Sequence, residues 1–132
     1  MDITTAQFHA LAEFRHQIRR FLHFSEQMAR NHGLEPQQHQ LLLAVRGSGE
    51  DEPSIGYLAE RLQIRHHSTV ELVDRMAEHG LVRRKPSTKD KRRVLVGLTP
   101  AGNRVLAKLS SEHLEELRQA GPALVKALEQ VL

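Results

Sequence analysis

Between positions 83 and 93 the chain reads Arg83-Arg84-Lys85-Pro86-Ser87-Thr88-Lys89-Asp90-Lys91-Arg92-Arg93. Seven basic residues stand there against one acid, whereas the formal net charge of all 132 residues is only +3. The remainder of the chain is therefore mildly acidic, and its excess positive charge is gathered in one turn. That distribution suits gripping a polyanion better than coating a membrane surface. Short apolar-rich words flank the turn, Leu81-Val-Arg-Arg84 before it and Arg93-Val-Leu-Val-Gly-Leu98 after it. They predict two strands closed into a hairpin, a wing.

Upstream of the hairpin the apolar period changes from two to that of a helix. Thr69, Leu72, Val73 and Met76 line one face of a helix expected from about His66 to His79, closed by Gly80. A three-residue break, Gln63-Ile64-Arg65, separates it from a helix carrying Ile55, Leu58, Ala59 and Leu62, with Ser54 as its cap. Two short helices across so tight a break are a helix-turn-helix pattern. Before them lies an acidic loop, Glu50-Asp51-Glu52-Pro53. Before that comes a short helix opened by Pro36, with Leu41, Leu42, Leu43 and Val45 expected inside.

The ends of the chain read as longer helices. From Thr5 to Asn31, Phe8, Leu11, Ile18, Phe21, Leu22, Ser25 and Met28 form a stripe that Phe14 and Phe24 widen. A helix apolar on more than one side packs against two things, here the domain and a partner subunit. After the hairpin, Thr99-Pro100 predicts a helix start, with Val105, Leu106, Leu109 and Leu117 inward to about Gln119. Gly121-Pro122 is expected to break it, leaving a last short helix with Leu124, Val125, Leu128, Val131 and Leu132 on one side. The fold class is mainly α with a small β-hairpin wing.

The local words then matter as much as their order. Leu58-Ala-Glu-Arg-Leu62, Ser68-Thr-Val70, Leu72-Val-Asp-Arg-Met76, Gly80-Leu-Val, Asp90-Lys-Arg92 and Val94-Leu-Val-Gly-Leu-Thr-Pro-Ala-Gly102 resemble the core of the MarR (multiple antibiotic resistance regulator) family. The likeness runs from about Phe14 to the end and is strongest between Ser54 and Gly102. It implies a single domain over 1–132, with a winged helix-turn-helix at 36–99 and dimerisation helices at 5–33 and 100–132. It also implies a homodimer on a pseudo-palindromic double-stranded DNA operator. A small aromatic or anionic effector would act near Phe21, His39 and Leu42, and the protein is expected to be a repressor.

In that reading the recognition helix offers Arg65, His66, His67, Ser68, Val70, Glu71 and Arg75 to the major groove and its phosphates. His67 and Ser68 hydrogen-bond bases or phosphates, Val70 meets a thymine methyl, and Glu71 accepts from cytosine N4. Lys89, Lys91 and Arg93 neutralise phosphates. By resemblance Arg92 enters the minor groove and Asp90 supports it. The chain departs from the family at Arg65-His66-His67, where many members have Ser-Pro-Ser, and at Glu71, where a basic or polar residue is common.

Other classes are disfavoured. The chain has no cysteine, so disulfides, thiolate metal sites and thiol redox sensing are excluded. No apolar run is long enough to span a bilayer, and Met1-Asp-Ile-Thr-Thr5 does not read as a secretory signal, so a cytoplasmic location is expected. His9, His16 and His23 recur every seven residues. Seven helical residues rise roughly 10.5 Å, too far for two of them to share one ion. No metal or other cofactor is expected, and no nucleophile or phosphate-loop motif suggests an enzyme. The alternatives are a metal-sensing regulator and a winged-helix protein-interaction module without DNA binding.

Overall fold

The computed structural model describes residues 1–49 and 52–132; Glu50 and Asp51, read above as part of the acidic loop, lie outside the described residues. Helices α1 (Thr5–Asn31), α2 (Pro36–Arg46), α3 (Ile55–Leu62) and α4 (His66–Glu78) precede strands β1 (Val82–Pro86) and β2 (Val94–Leu98), and α5 (Pro100–Val131) closes the chain. Two compact units divide these elements, one of residues 34–108 and the other of residues 1–33 with 109–132. The first turns of α5 belong with the winged segment and the rest of that helix with α1.

In the 34–108 unit, α2 starts on Pro36, and the Glu35 and Gln38 side chains bond each other's backbone N–H. It buries Gln38, His39, Leu41, Leu42 and Val45. Leu43, expected inside, is exposed. Gln38, Leu41, Leu42 and Val45 keep the spacing i, i+3, i+4, i+7 with His39 beside them, and Leu43 falls off that stripe. Helix α3 is capped by Ser54, whose hydroxyl accepts the Tyr57 N–H at 3.1 Å, and ends on Gln63 in the left-handed region (φ 57°). On α4, Thr69, Leu72, Val73 and Met76 are buried as the apolar period predicts. Thr69 satisfies its hydroxyl by donating to the Arg65 carbonyl at 3.0 Å.

Strands β1 and β2 pair antiparallel, from Val82 opposite Leu98 to Pro86 opposite Val94. The Val96 N–H donates to the Pro53 carbonyl at 2.9 Å, and Ser54 bridges Leu95, so the residues before α3 run along the free edge of β2. At the wing's base the Thr99 hydroxyl caps α5, accepting the Gly102 N–H at 3.0 Å and donating to the Gly80 carbonyl at 2.6 Å.

In the other unit, α1 opens with a capping box between Thr4 and Gln7. Its buried residues are Ala10, Gln17, Ser25 and Ala29, not the large side chains of the expected stripe; Phe8, Leu11 and Leu22 are exposed. Small residues let a neighbouring helix approach, and the polar ones are satisfied within the unit. Gln17 donates to Glu13 at 3.0 Å. Ser25 bonds Nε2 of His113 at 2.8 Å, while His113 Nδ1 bonds the Leu109 carbonyl at 2.7 Å. Phe21 and Phe24 meet the same imidazole edge-on, and His32 contacts Glu112 at 2.5 Å.

The expected break at Gly121-Pro122 is absent, for α5 continues through Pro122 to Val131. Proline removes one backbone bond in mid-helix, but Arg118, whose carbonyl it orphans, is an exposed residue where water can take the place of the missing N–H. Leu117, expected inward, is exposed, and Ala127 is buried instead.

Candidate nucleic-acid interface

The N-terminal end of α4 and the wing loop carry the residues singled out from the sequence. Arg65, His66 and His67 are exposed where α4 begins, Ser68 and Val70 are half-buried, and Glu71 and Arg75 are exposed further along. Arg65 stands at the cap position without a side-chain capping bond, so the first N–H groups of α4 are left unclaimed by that residue. His66 and Val70 share a cleft of about 380 Å³ with Ser54, Tyr57, Arg84, Arg92 and Arg93. One concave surface thus joins the start of α4, the start of α3 and the wing.

The wing loop is shaped by its own hydrogen bonds. The Ser87 hydroxyl accepts the N–H groups of Lys89 and Asp90 at 3.2 Å, and the Arg93 N–H donates to the Asp90 carbonyl at 3.0 Å. Asp90 Oδ1 accepts both the Arg92 N–H at 3.0 Å and the Arg92 Nε–H at 3.3 Å. The carboxylate therefore fixes the backbone and the guanidinium of Arg92 together. The Arg92 side chain nevertheless stays 92% exposed. Lys89 and Lys91 are exposed beside it.

The other cations of the turn are less free. Arg93 donates from Nη2 to the Ser54 hydroxyl at 2.9 Å, so the residue that caps α3 also anchors the wing. Arg84 bonds Asp74, tying β1 to α4. Arg83 and Lys85 meet the Glu52 carboxylate at 3.4 and 3.5 Å. None of these partners was expected from the sequence, because Glu52, Ser54 and Asp74 lie outside the turn. Gly97 was the one visible signal. A glycine inside a strand marks a close approach, and a Cβ there would come within 2.8 Å of the Glu52 carboxylate.

Ser54→Ala tests the shared anchor. Loss of a helix cap costs about 1 kcal/mol, and Arg93 loses its partner as well. The expected outcome is a lower urea midpoint at unchanged m-value. An unchanged midpoint shows that the hydroxyl does not hold α3.

Among the described residues no group of three or more His, Cys, Asp or Glu is placed to hold a metal ion. His9, His16 and His23 are exposed. No helix among the described residues is long and apolar enough to cross a membrane.

Comparison with known proteins agrees with this architecture. The family model described as MarR family matches residues 32–93. No curated protein sequence matches. Among solved structures, AbsC, a MarR family transcriptional regulator from Streptomyces coelicolor, superposes with a TM-score of 0.79 at 22% identity, over 91% of this chain and 81% of that one. A MarR variant from E. coli, complexed with operator DNA, gives 0.69 at 20% identity over 89% of each chain. A MepR variant from S. aureus, bound to an oligodeoxyribonucleotide, gives 0.68 at 20% identity over 99% of this chain and 100% of that one. Residues 32–93 thus match the MarR family model, and the chain has the winged helix-turn-helix fold seen in the MarR-family structures.

Proposed function

We propose that this chain is the protomer of a homodimeric transcription regulator, a repressor that binds a pseudo-palindromic operator and is released by a small aromatic or anionic effector. One observation carries the DNA-binding part. Arg92, held by Asp90 yet almost wholly exposed, projects with Lys89 and Lys91 from a hairpin whose base is tied to α4. In this reading α4 lies in the major groove and uses Arg65, His66, His67, Ser68, Val70, Glu71 and Arg75. Lys89, Lys91 and Arg93 meet phosphates, and Arg92 reaches the minor groove. Operator DNA in the E. coli MarR complex and the oligodeoxyribonucleotide on S. aureus MepR support it by analogy of fold.

The two-subunit part rests on surface chemistry. Among the described residues, every exposed large apolar side chain except Leu43 lies in the unit formed by 1–33 and 109–132. So one-sided a concentration of apolar surface marks an interface. Half-sites for such a dimer stand on the order of 34–36 Å apart, so a small reorientation by an effector suffices to lose fit.

The test is DNA binding as a function of salt, on fragments flanking the protein's own gene and on unrelated fragments. Arg92→Ala is expected to weaken affinity on every sequence and to lower the slope of log K against log salt by about 0.9 per bound protomer. No binding at low salt by the unaltered protein, or identical binding by the variant, overturns the assignment.

A further inference from the structure

The basic turn carries its counter-charge with it, and Glu52 is the instructive case. Alternation along β1 sends Arg83 and Lys85 to one face of the hairpin and Arg84 to the other. Arg84 meets Asp74 of α4, while Arg83 and Lys85 both meet Glu52, from Nη2 at 3.4 Å and Nζ at 3.5 Å. Their partners in register on β2 are Gly97 and Leu95. The missing side chain at Gly97 is the seat of the carboxylate, whose atoms lie 2.8 to 2.9 Å from where a Cβ would be.

Glu52 is held there by more than its own charge. The next residue, Pro53, accepts the Val96 N–H, and Ser54 bridges Leu95, so the backbone carrying Glu52 is docked along β2. Its side chain is 26% exposed, against 62% for Arg83 and 53% for Lys85. The acid is the enclosed member of the cluster and the two cations are the exposed ones. One carboxylate oxygen accepts from Arg83 and faces Lys85, and the other is buried with no hydrogen bond among the described residues.

We propose that Glu52 is an internal phosphate mimic, occupying Arg83 and Lys85 so that they add little to sequence-independent DNA binding. This rests on the DNA-binding reading above and deepens it. A DNA phosphate reaching Arg83 or Lys85 must displace a carboxylate that cannot leave, and it then stands beside that uncompensated negative charge. The grip of the wing is thereby left to Lys89, Lys91, Arg92 and Arg93. Indiscriminate binding to competing genomic sites, which scales with the number of phosphates neutralised, is held down.

The experiment titrates a short duplex of scrambled sequence with the full chain at several salt concentrations. The proteins are wild type, Glu52→Gln, and Glu129→Gln as a control for net charge far along α5. Each released cation adds about 0.9 to the salt slope, equivalent to about tenfold tighter binding at about 50 mM salt. Glu52→Gln is expected to gain one to two such steps and Glu129→Gln much less. The pair Arg83→Gln and Lys85→Gln is expected to change wild-type binding less than twofold and to erase the gain in the Glu52→Gln background. Equal behaviour of the two glutamine variants overturns the brake and leaves the DNA assignment standing, as does a large loss when Arg83 and Lys85 are removed from wild type. Absence of binding by every protein at low salt overturns both.

Discussion

Gly102→Ala is expected to lower the stability of the 34–108 unit by about 3 kcal/mol, the upper end of the usual cost of overpacking. Two effects oppose each other. Gly102 lies in the first turn of α5, where alanine is the better helix former by about 1 kcal/mol. Against that, a Cβ at this position would stand 2.1 Å from the Leu81 carbonyl oxygen and 3.1 Å from its carbon. No rotamer relieves a clash between a Cβ and backbone. The Leu81 carbonyl is itself fixed, since it accepts the Thr99 N–H at 3.1 Å. Steric repulsion therefore outweighs propensity, and either α5 or the segment before β1 must move.

A thermal melt followed by circular dichroism checks this, at roughly 4–8 °C per kcal/mol for a unit of this size. A melting temperature equal to or above that of the unaltered protein shows that the base of the wing yields freely. The same clamp has a functional side. Leu81 precedes β1 and Thr99 follows β2, so the contact at Gly102 closes both strands onto the start of α5. Loosening it releases the hairpin that carries Lys89, Lys91 and Arg92, and DNA affinity should fall with stability.

The 34–108 unit was largely legible because its signals are local. Ser54, Thr99 and Pro36 are termination chemistry, and Thr69, Leu72, Val73 and Met76 are a clean helical period; all appear as read. Asp90 and Arg92, two residues apart, bond each other within the wing. The failures have one physical source each. Leu43 sits in an apolar run whose residues cannot all face inward on a helix. Pro122 lies inside α5 without ending it, and local sequence does not distinguish a proline that a helix accommodates from one that stops it. On α1, Ser25 is buried as its place in the stripe predicts, but Ala10, Gln17 and Ala29 are the other buried residues and Phe8, Leu11 and Leu22 lie outside, because size alone does not decide which side chains a close helix neighbour covers. Glu52 and Asp74 were invisible as counter-ions because pairing across the fold has no period.

The exposed apolar residues lead to the second large expected effect. Leu114, Leu117, Val125, Leu128 and Val131 follow one another along the outer part of α5, spaced to continue a single stripe. In a solitary chain a charge on this stripe is a surface substitution, within about 0.5 kcal/mol of neutral. Against a partner copy, the same charge is buried without a counter-ion and strongly opposes association. The double variant Leu114→Glu with Leu128→Glu is therefore expected to keep its helical content and sediment as a monomer. Its operator affinity should fall by about 10² to 10⁴, because joining two half-site readers supplies that factor through effective concentration alone. Binding to a single half-site should change little, since the wing and α4 lie in the other unit. A double variant that still sediments as a dimer places the interface elsewhere. An unaltered protein that is monomeric at working concentration, yet binds the full operator no better than a half-site, removes the dimer from the mechanism and leaves the wing and α4 as the whole of the grip.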